Sequence, residues 1–292
     1  MKRFTKICLT AGAALLVLGL LVGGIGWLLG AGRDIRNSRT ETAGQQAELT
    51  IPGETLGRLE VTLTSEDLQI LPSQDKDAHI QYTVMDQRDY ATIFTRGNAH
   101  GKDTCHFSYS ADAKHSWHLF NLSFGSYTKP VTVYLPEGYD GDLSVSAISG
   151  EVTARDLSAG TCDFQTTSGD LELSGLTCGD LEVSTTSGEV TLDRVRAGDG
   201  SIQTVSGDTE TEGSAFARLQ ITTTSGEVEL SGGNVTGGVR CQTISGDVTV
   251  QDTGAASLDC RTVSGDITVL GGDQIGDIQY TTTSGSVQID GR

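Results

Sequence analysis

The sequence has few aromatic residues and few prolines. Of its 292 residues, 5% are aromatic and 4 are Pro, whereas 38 are Gly. The small aromatic content excludes a large aromatic core. The Gly content disfavours a helical bundle, because each Gly inside a helix costs about 1 kcal/mol relative to Ala. The shortage of Pro argues against a Pro-rich disordered chain. These features favour many short strands joined by glycine turns.

Positive charge is also scarce. The chain has 20 Lys plus Arg against 38 Asp plus Glu, a formal net charge of -18. A phosphate backbone or an anionic lipid surface would be repelled by such a chain. We therefore expect no nucleic-acid partner.

Enzyme motifs are missing as well. The sequence contains no P-loop, no nucleophile elbow, no HExxH, no dinucleotide-binding glycine motif and no CxxC. We predict a protein that is not an enzyme, with no catalytic and no cofactor-binding residues. A β-helical polysaccharide-active enzyme remains an alternative, because such enzymes place carboxylates on a solenoid face.

One long apolar run is present near the N-terminus. Residues 7–32 form a stretch of 26 residues without a charge, which is long enough to span a bilayer as a helix. We predict a cytoplasmic tail (1–6) and an uncleaved transmembrane helix (7–32), and a cleaved signal peptide is the alternative. The protein would then be a single-pass cell-membrane protein with the remaining chain extracytoplasmic.

The dipeptide Ser-Gly recurs with a period of 19 or 20 residues. Its serines are Ser149, Ser168, Ser187, Ser206, Ser225, Ser245, Ser264 and Ser284. Apolar and polar residues alternate on both sides of each Ser-Gly, which indicates two strands per coil with a glycine at the corner. We predict an all-β fold, a single-stranded β-helix or β-solenoid with two short strands per coil, preceded by the transmembrane helix.

Two cysteines occupy the same inward position in adjacent coils. Cys241 and Cys260 both precede their Ser-Gly by four residues, so we expect them to be neighbours. Parallel in-register strands are a poor match to disulfide geometry, and we therefore favour buried thiols over a bond.

The region before residue 130 is less regular. We predict a polar linker (33–53) and a solenoid domain (54–292), which divides into irregular first coils (54–84), an insertion (85–129) and regular repeats (130–292). Residues 82–139 hold 11 of the 16 aromatic residues and four of the five His. The insertion is therefore the candidate binding surface, or else a hairpin that covers the solenoid. The proposed surface residues are Phe107, Tyr109, Trp117, Phe120, Phe124 and Tyr127.

Two groups of side chains suggest weak metal sites. The first is a column of carboxylates after the Ser-Gly pairs, at Glu151, Asp170, Glu189, Asp208, Glu227, Asp247 and Asp266. Calcium would relieve their mutual repulsion, but solvated turn carboxylates explain them equally simply. The second group, Cys105, His106, His115 and His118, has zinc-type ligands at a spacing that matches no standard site.

The motif Thr-x-Ser-Gly-Asp/Glu-Val/Leu-x-Val/Leu, seen for example at residues 243–250, carries a family resemblance. Over residues 56–290 the chain resembles the bacterial putative adhesin family, a family of unknown function built from β-strand repeats. The resemblance implies a membrane-anchored or surface-exposed β-solenoid. It implies no catalytic residues, and the aromatic insertion departs from the family's pattern.

Together these features predict a non-enzymatic, membrane-anchored extracytoplasmic β-solenoid that serves as an adhesin or as a cell-envelope scaffold or sensing protein. Its partners would be the membrane, through residues 7–32, and a cell-surface or envelope ligand. A bactofilin-like polymer-forming scaffold is the alternative, because an uncapped C-terminal coil, residues 284–292, would allow self-association.

Overall fold

The computed structural model describes residues 45–84, 90–99, 102–111 and 130–291. The predicted cytoplasmic tail, the predicted transmembrane helix and residues 33–44 of the predicted linker lie outside these residues. Within the described ranges, no helix is long and apolar enough to cross a membrane. The helices found there are two 3-10 turns, Gly53–Thr55 and Gly272–Gln274.

Seven of the described strands precede the regular repeats. They are β1 (Gln45–Ile51), β2 (Leu56–Leu63), β3 (Leu68–Pro72), β4 (Ala78–Val84), β5 (Tyr90–Ala99), β6 (Lys102–Ala111) and β7 (Val131–Leu135).

From residue 142 onward, long and short strands alternate along the chain. The long strands are β8 (Asp142–Ser149), β10 (Ser158–Ser168), β12 (Thr177–Ser187), β14 (Arg196–Ser206), β16 (Ala215–Ser225), β18 (Asn234–Gln242), β20 (Gly254–Arg261) and β22 (Ile275–Thr281). The short strands are β9 (Val152–Arg155), β11 (Leu171–Ser174), β13 (Val190–Asp193), β15 (Thr209–Glu212), β17 (Val228–Ser231), β19 (Val248–Gln251), β21 (Ile267–Leu270) and β23 (Val287–Ile289).

The strands form two facing sheets. The long-strand sheet has the order β22-β20-β18-β16-β14-β12-β10-β8-β2-β6-β5, and the short-strand sheet has the order β1-β4-β7-β3-β9-β11-β13-β15-β17-β19-β21-β23. Each coil contributes one strand to each sheet, and successive coils pair in parallel. The predicted β-solenoid with two strands per coil is therefore confirmed.

The core lies between the sheets and follows the predicted alternation. In the short strand β11, Leu171 and Leu173 are buried while the residues between and after them are half-buried. A coil cannot bury these side chains alone, so each coil depends on the two that flank it.

Glycine is required at the Ser-Gly corner because coils stack closely there. Gly246 has φ 153°, a conformation that L side chains rarely adopt. A Cβ atom at this position would also overlap the carbonyl oxygen of Gly226 in the preceding coil. The predicted corner glycine thus has both a conformational and a steric cause.

The long strands contain a break in alternation that the sequence pattern did not lead us to expect. In β12 the buried residues include Cys178 and Leu181, and the two residues between them are both exposed. Small residues occupy the first of these positions along the array: Gly160, Gly179, Gly198, Ala217, Gly237, Ala256 and Gly276. A Cβ at Gly179 would lie 2.7 Å from the carbonyl oxygen of Gly160. The break is repeated in step along β10, β12, β14 and β16, which stay in register, whereas β18 has a register shift against both of its neighbours, as in a bulge.

The first coils are ordered differently in space than in sequence. Strand β2 lies between β6 and β8, and β3 lies between β7 and β9. The predicted insertion therefore supplies the hairpin β5–β6 to the end of the long-strand sheet. Strand β1 falls inside the predicted linker and pairs antiparallel with β4, so the linker ends earlier than expected.

Candidate functional site

A groove runs across the outer face of the long-strand sheet. It has a volume of about 720 Å³ and extends from β10 to β20. The break in alternation brings two successive residues of each strand to the outer face, and the groove follows these positions. Two columns of side chains line the groove. Each column runs across the strands and consists of residues at equivalent positions of adjacent strands.

The first column, Asp180, Asp199 and Arg218, is held by ion pairs and backbone bonds. Arg218 donates from Nε to Asp199 Oδ1 at 2.8 Å and from a terminal nitrogen to Asp199 Oδ2. This guanidinium lowers the pKa of the Asp199 carboxyl. Asp180 Oδ1 accepts the backbone N–H of Asp199 at 3.1 Å. Further along, Gly238 leaves a gap in the column, and Ser257 follows it.

Three neighbouring residues of the second column have side chains with free hydrogen-bonding capacity. Glu182, Ser201 and Gln220 are register partners on adjacent strands. Within the described part of the chain, none of these three side chains makes a hydrogen bond or an ion pair. Glu182 and Gln220 are exposed, and Ser201 is half-buried.

The same column ends in a charged cluster. Arg240 is the register partner of Gln220, and its Nε lies 3.4 Å from Asp259 Oδ2. Asp259 also accepts a hydrogen bond from Arg261 Nε at 2.8 Å. The carboxylate at this end of the groove is therefore neutralised by two guanidinium groups.

At the opposite end of the groove lies Asp163, the register partner of Glu182. Gln165 Nε2 donates to its two carboxylate oxygens at 3.1 and 3.2 Å. Burial raises the pKa of Asp163, because removing water disfavours the charged form. The groove thus contains one carboxyl group with an increased affinity for a proton.

The proposed calcium column has a structural role in the structure. Asp170 Oδ1 accepts the backbone N–H of Glu189 in the next coil at 2.9 Å, and Asp208, Asp247 and Asp266 accept the equivalent bond. No group of three or more His, Cys, Asp or Glu side chains suited to a metal ion occurs in the described ranges. The calcium candidates are Glu151, Asp170, Glu189, Asp208, Glu227, Asp247 and Asp266, and their aspartates are occupied with backbone bonding between coils.

The aromatic candidates that the structure describes lie in the core. Phe107 is 0% and Tyr109 is 2% exposed, and both contact the ring of Tyr82. Tyr109 donates its hydroxyl proton to the carbonyl oxygen of Thr83 at 2.6 Å. These two residues belong to β6, whose alternation continues the inward pattern, so they do not form an exposed binding surface. Trp117, Phe120, Phe124 and Tyr127 lie outside the described residues.

The proposed zinc set is divided by the same strand. Cys105 is buried in the core, whereas His106 points outward and lies 3.4 Å from Glu60. Side chains at successive strand positions point to opposite faces and cannot share one ion. His115 and His118 lie outside the described residues.

Cys241 and Cys260 are register partners, as predicted. Both are fully buried free thiols. Their mutual hydrogen bond, together with burial, raises the pKa of Cys241. They act as small core residues rather than as a reactive pair.

The groove itself was missed at the level of sequence. Its residues recur with the same period of about 19 as the Ser-Gly pairs. The repeat alone therefore indicates which groove residues are neighbours on adjacent strands. The outward direction of Asp180 and Asp199 depends on the break in alternation, however, and the Gly and Ala residues that immediately precede these positions were the signal in the sequence.

Comparisons with known proteins identify the family. The family model described as Toastrack DUF4097 matches residues 56–271. A search of curated proteins found no match to the chain.

Solved structures from two bacteria align with most of this chain. One, described as a putative lipid binding protein from Parabacteroides distasonis, aligns with a TM-score of 0.56 at 15% identity over 85% of this chain and 97% of that chain. Another, described as a putative adhesin from Bacteroides fragilis, aligns with a TM-score of 0.48 at 13% identity over 84% and 96%. The family match confirms the resemblance to the putative adhesin family. Since the family model spans well over half of the sequence, this chain belongs to the Toastrack DUF4097 family.

Proposed function

We propose that this protein is a non-enzymatic, adhesin-like binding protein of the cell envelope. Residues 7–32 anchor it in the membrane, and the solenoid lies on the outer side. The observation that carries the proposal is the groove, in which Glu182, Ser201 and Gln220 present free hydrogen-bonding groups on a rigid sheet. A rigid surface that needs no ordering on binding loses less conformational entropy.

The other groove residues support binding rather than chemistry. Asp199 is paired with Arg218, and Asp259 is paired with Arg240 and Arg261. These charges satisfy one another, so they shape the groove without supplying a nucleophile or a base.

A polysaccharide-active enzyme is the second candidate, because one observation favours it. Asp163 and Glu182 are carboxyl groups on adjacent strands of the groove, and burial raises the pKa of Asp163. Glycoside hydrolysis uses such a pair, with one protonated and one ionised carboxyl. Release of reducing ends from neutral polysaccharides that is abolished by Asp163→Asn would establish it.

Protease treatment of intact cells tests the location. An epitope placed after Arg292 is followed with and without permeabilisation of the envelope. Loss of the epitope from intact cells supports the proposal. Protection until permeabilisation places the solenoid inside and favours the bactofilin-like scaffold, for which filament formation that depends on protein concentration is the second readout.

Adhesion of cells tests the binding role. Cells that carry the protein should adhere to a glycan-bearing surface more than cells without it. The variant Gln220→Ala should reduce this adhesion, and Gln203→Ala, on the same sheet outside the groove, serves as the control. Equal adhesion with and without the protein contradicts the proposal.

A further inference from the structure

The chemistry of the groove limits the classes of ligand that it can bind. The strands below it are paired on both sides in parallel ladders, so their backbone groups are already bonded. A ligand on this face is therefore recognised by side chains alone. A peptide that binds by adding a strand needs a free sheet edge and has none here.

Apolar and anionic ligands do not suit the groove. Its apolar floor residues, Leu181, Leu219 and Val239, are 1–2% exposed, and no aromatic residue lines it among those described. A lipid chain would find no exposed apolar side chain at the floor of the groove. Five carboxylates against two arginines line the groove, which disfavours phosphates and acidic polymers.

Arginines neutralise two of the five carboxylates: Arg218 pairs with Asp199, and Arg240 and Arg261 pair with Asp259. Asp163, Asp180 and Glu182 make no ion pair within the described residues, although Asp163 accepts hydrogen bonds from Gln165 and Asp180 accepts one from the Asp199 backbone. What the groove offers is a row of a carboxylate, a hydroxyl and an amide on consecutive strands, spaced by about 4.8 Å. Between them these groups both donate and accept hydrogen bonds, as the hydroxyl groups of a sugar do.

We propose that the groove binds an uncharged oligosaccharide chain that runs across the strands and is held by hydrogen bonds to Glu182, Ser201 and Gln220. This inference rests on the proposed function, since it assigns a ligand class to the same groove. In the absence of aromatic stacking, each contact contributes modestly. Binding of one chain is in the millimolar range, on the order of 1 mM, and several copies on a cell surface would raise it through avidity.

The test is direct titration of the full-length protein, observed by NMR or calorimetry. The neutral probes are cellohexaose, mannohexaose, maltohexaose and the hexamer of N-acetylglucosamine. Hexalysine, oligogalacturonate and phosphatidylcholine vesicles are the comparison ligands. We expect at least one neutral probe to bind, with its affinity reduced about 2–10-fold by Gln220→Ala and by Glu182→Ala.

The matched control is Gln203→Ala, which removes an amide from the same face two residues beyond Ser201 and outside the groove. It should leave the affinity unchanged. Since Glu182 and Gln220 are exposed, their variants retain the fold, which circular dichroism verifies.

Three results overturn the ligand assignment: no neutral probe binds at about 10 mM, ten times the expected constant; the only ligands that bind are hexalysine, oligogalacturonate or vesicles, with vesicle binding that Gln220→Ala weakens; or Gln203→Ala is as damaging as Gln220→Ala. None of these bears on location, because the purified protein is used. If the solenoid is exposed on cells but binds no neutral oligosaccharide in this titration, the adhesin proposal stands and the assignment of an oligosaccharide ligand is wrong.

Discussion

The pairing of Gly200 with Phe216 allows a sharp test of how the solenoid core is packed. Gly200 occupies an inward column of the long strands in which its neighbours are Leu181 and Leu219. Phe216, which is 3% exposed, fills the space left by the missing side chain. A Cβ at Gly200 would lie 2.8 Å from ring atoms Cδ1 and Cε1 of Phe216.

Each single change should destabilise the protein for a different reason. Phe216→Ala leaves a cavity, and such truncations cost about 3–5 kcal/mol. Gly200→Leu drives a side chain into the ring, and overpacking costs about 1–3 kcal/mol or more. If the two effects were independent, the double variant would lose their sum.

The double variant should instead recover much of the lost stability. Two other coils place Leu and Ala at the corresponding positions, Leu143 with Ala159 and Leu181 with Ala197. Gly200→Leu with Phe216→Ala copies this arrangement. We expect a favourable coupling energy of at least about 2 kcal/mol.

Urea unfolding monitored by circular dichroism provides the measurement, with the m-value as a check that cooperativity is retained. Phe164→Ala combined with Gly200→Leu is the control, because it removes a buried ring that does not oppose Gly200. Additive losses in the Gly200 and Phe216 double variant would refute this account of the packing.

Three further substitutions test the core, the turn after the short strand β13, and the contact between β4 and the edge strand β1. Thr209 is 1% exposed with an unpartnered Oγ1 in a column otherwise filled by Val, Leu or Ile; Thr209→Val should stabilise by about 1–2 kcal/mol in urea unfolding, while the outward Thr191→Val should not. Arg194 has φ 51° where neighbouring coils have glycine; Arg194→Gly should gain about 0.5–1 kcal/mol in the same assay, and a loss would contradict the strain. His79 lies 2.9 Å from Glu48 and 3.0 Å from Asp75, and its hydrogen bond to Asp75 raises its pKa above 6.5. Because the pKa of His79 is raised in the folded state, its contribution to stability is fully present below about pH 6.5, as long as the carboxylates are ionised, and is lost as pH rises through the folded-state pKa. The stability deficit of His79→Gln should therefore be largest at about pH 5 and shrink toward about pH 9. A deficit that does not vary with pH would contradict this linkage.

The coil repeat was predictable because its causes are local. Each corner needs a glycine such as Gly246, and each flanking strand alternates apolar and polar residues. Stacking copies of one coil then follows from burial alone. The prediction of neighbouring thiols at Cys241 and Cys260 succeeded for the same reason, since an in-register ladder maps equal repeat positions onto each other.

The order of the first coils was not predictable in this way. Strand β2 is flanked by β6 and β8, and the chain must leave the array and return before this arrangement is complete. The alternation of apolar and polar residues in β2 and β6 does not indicate the neighbours of either strand, because both strands have the same inward apolar pattern. Phe107 and Tyr109 were consequently assigned to a surface although they continue a core column.

The repeat also explains why the groove lies where it does. A ladder of like charges on strands about 4.8 Å apart is unfavourable, and the column after the Ser-Gly pairs relieves it by bonding aspartates such as Asp170 to backbone N–H groups. The first groove column follows this rule from Asp180 to Asp199 and then departs from it, since Arg218 and Gly238 take the next two positions. Stacking of equivalent coils is enough to explain the residues that follow the period. Residues that break it have no such explanation, and two of these breaks, Arg218 and Gly238, lie in the groove.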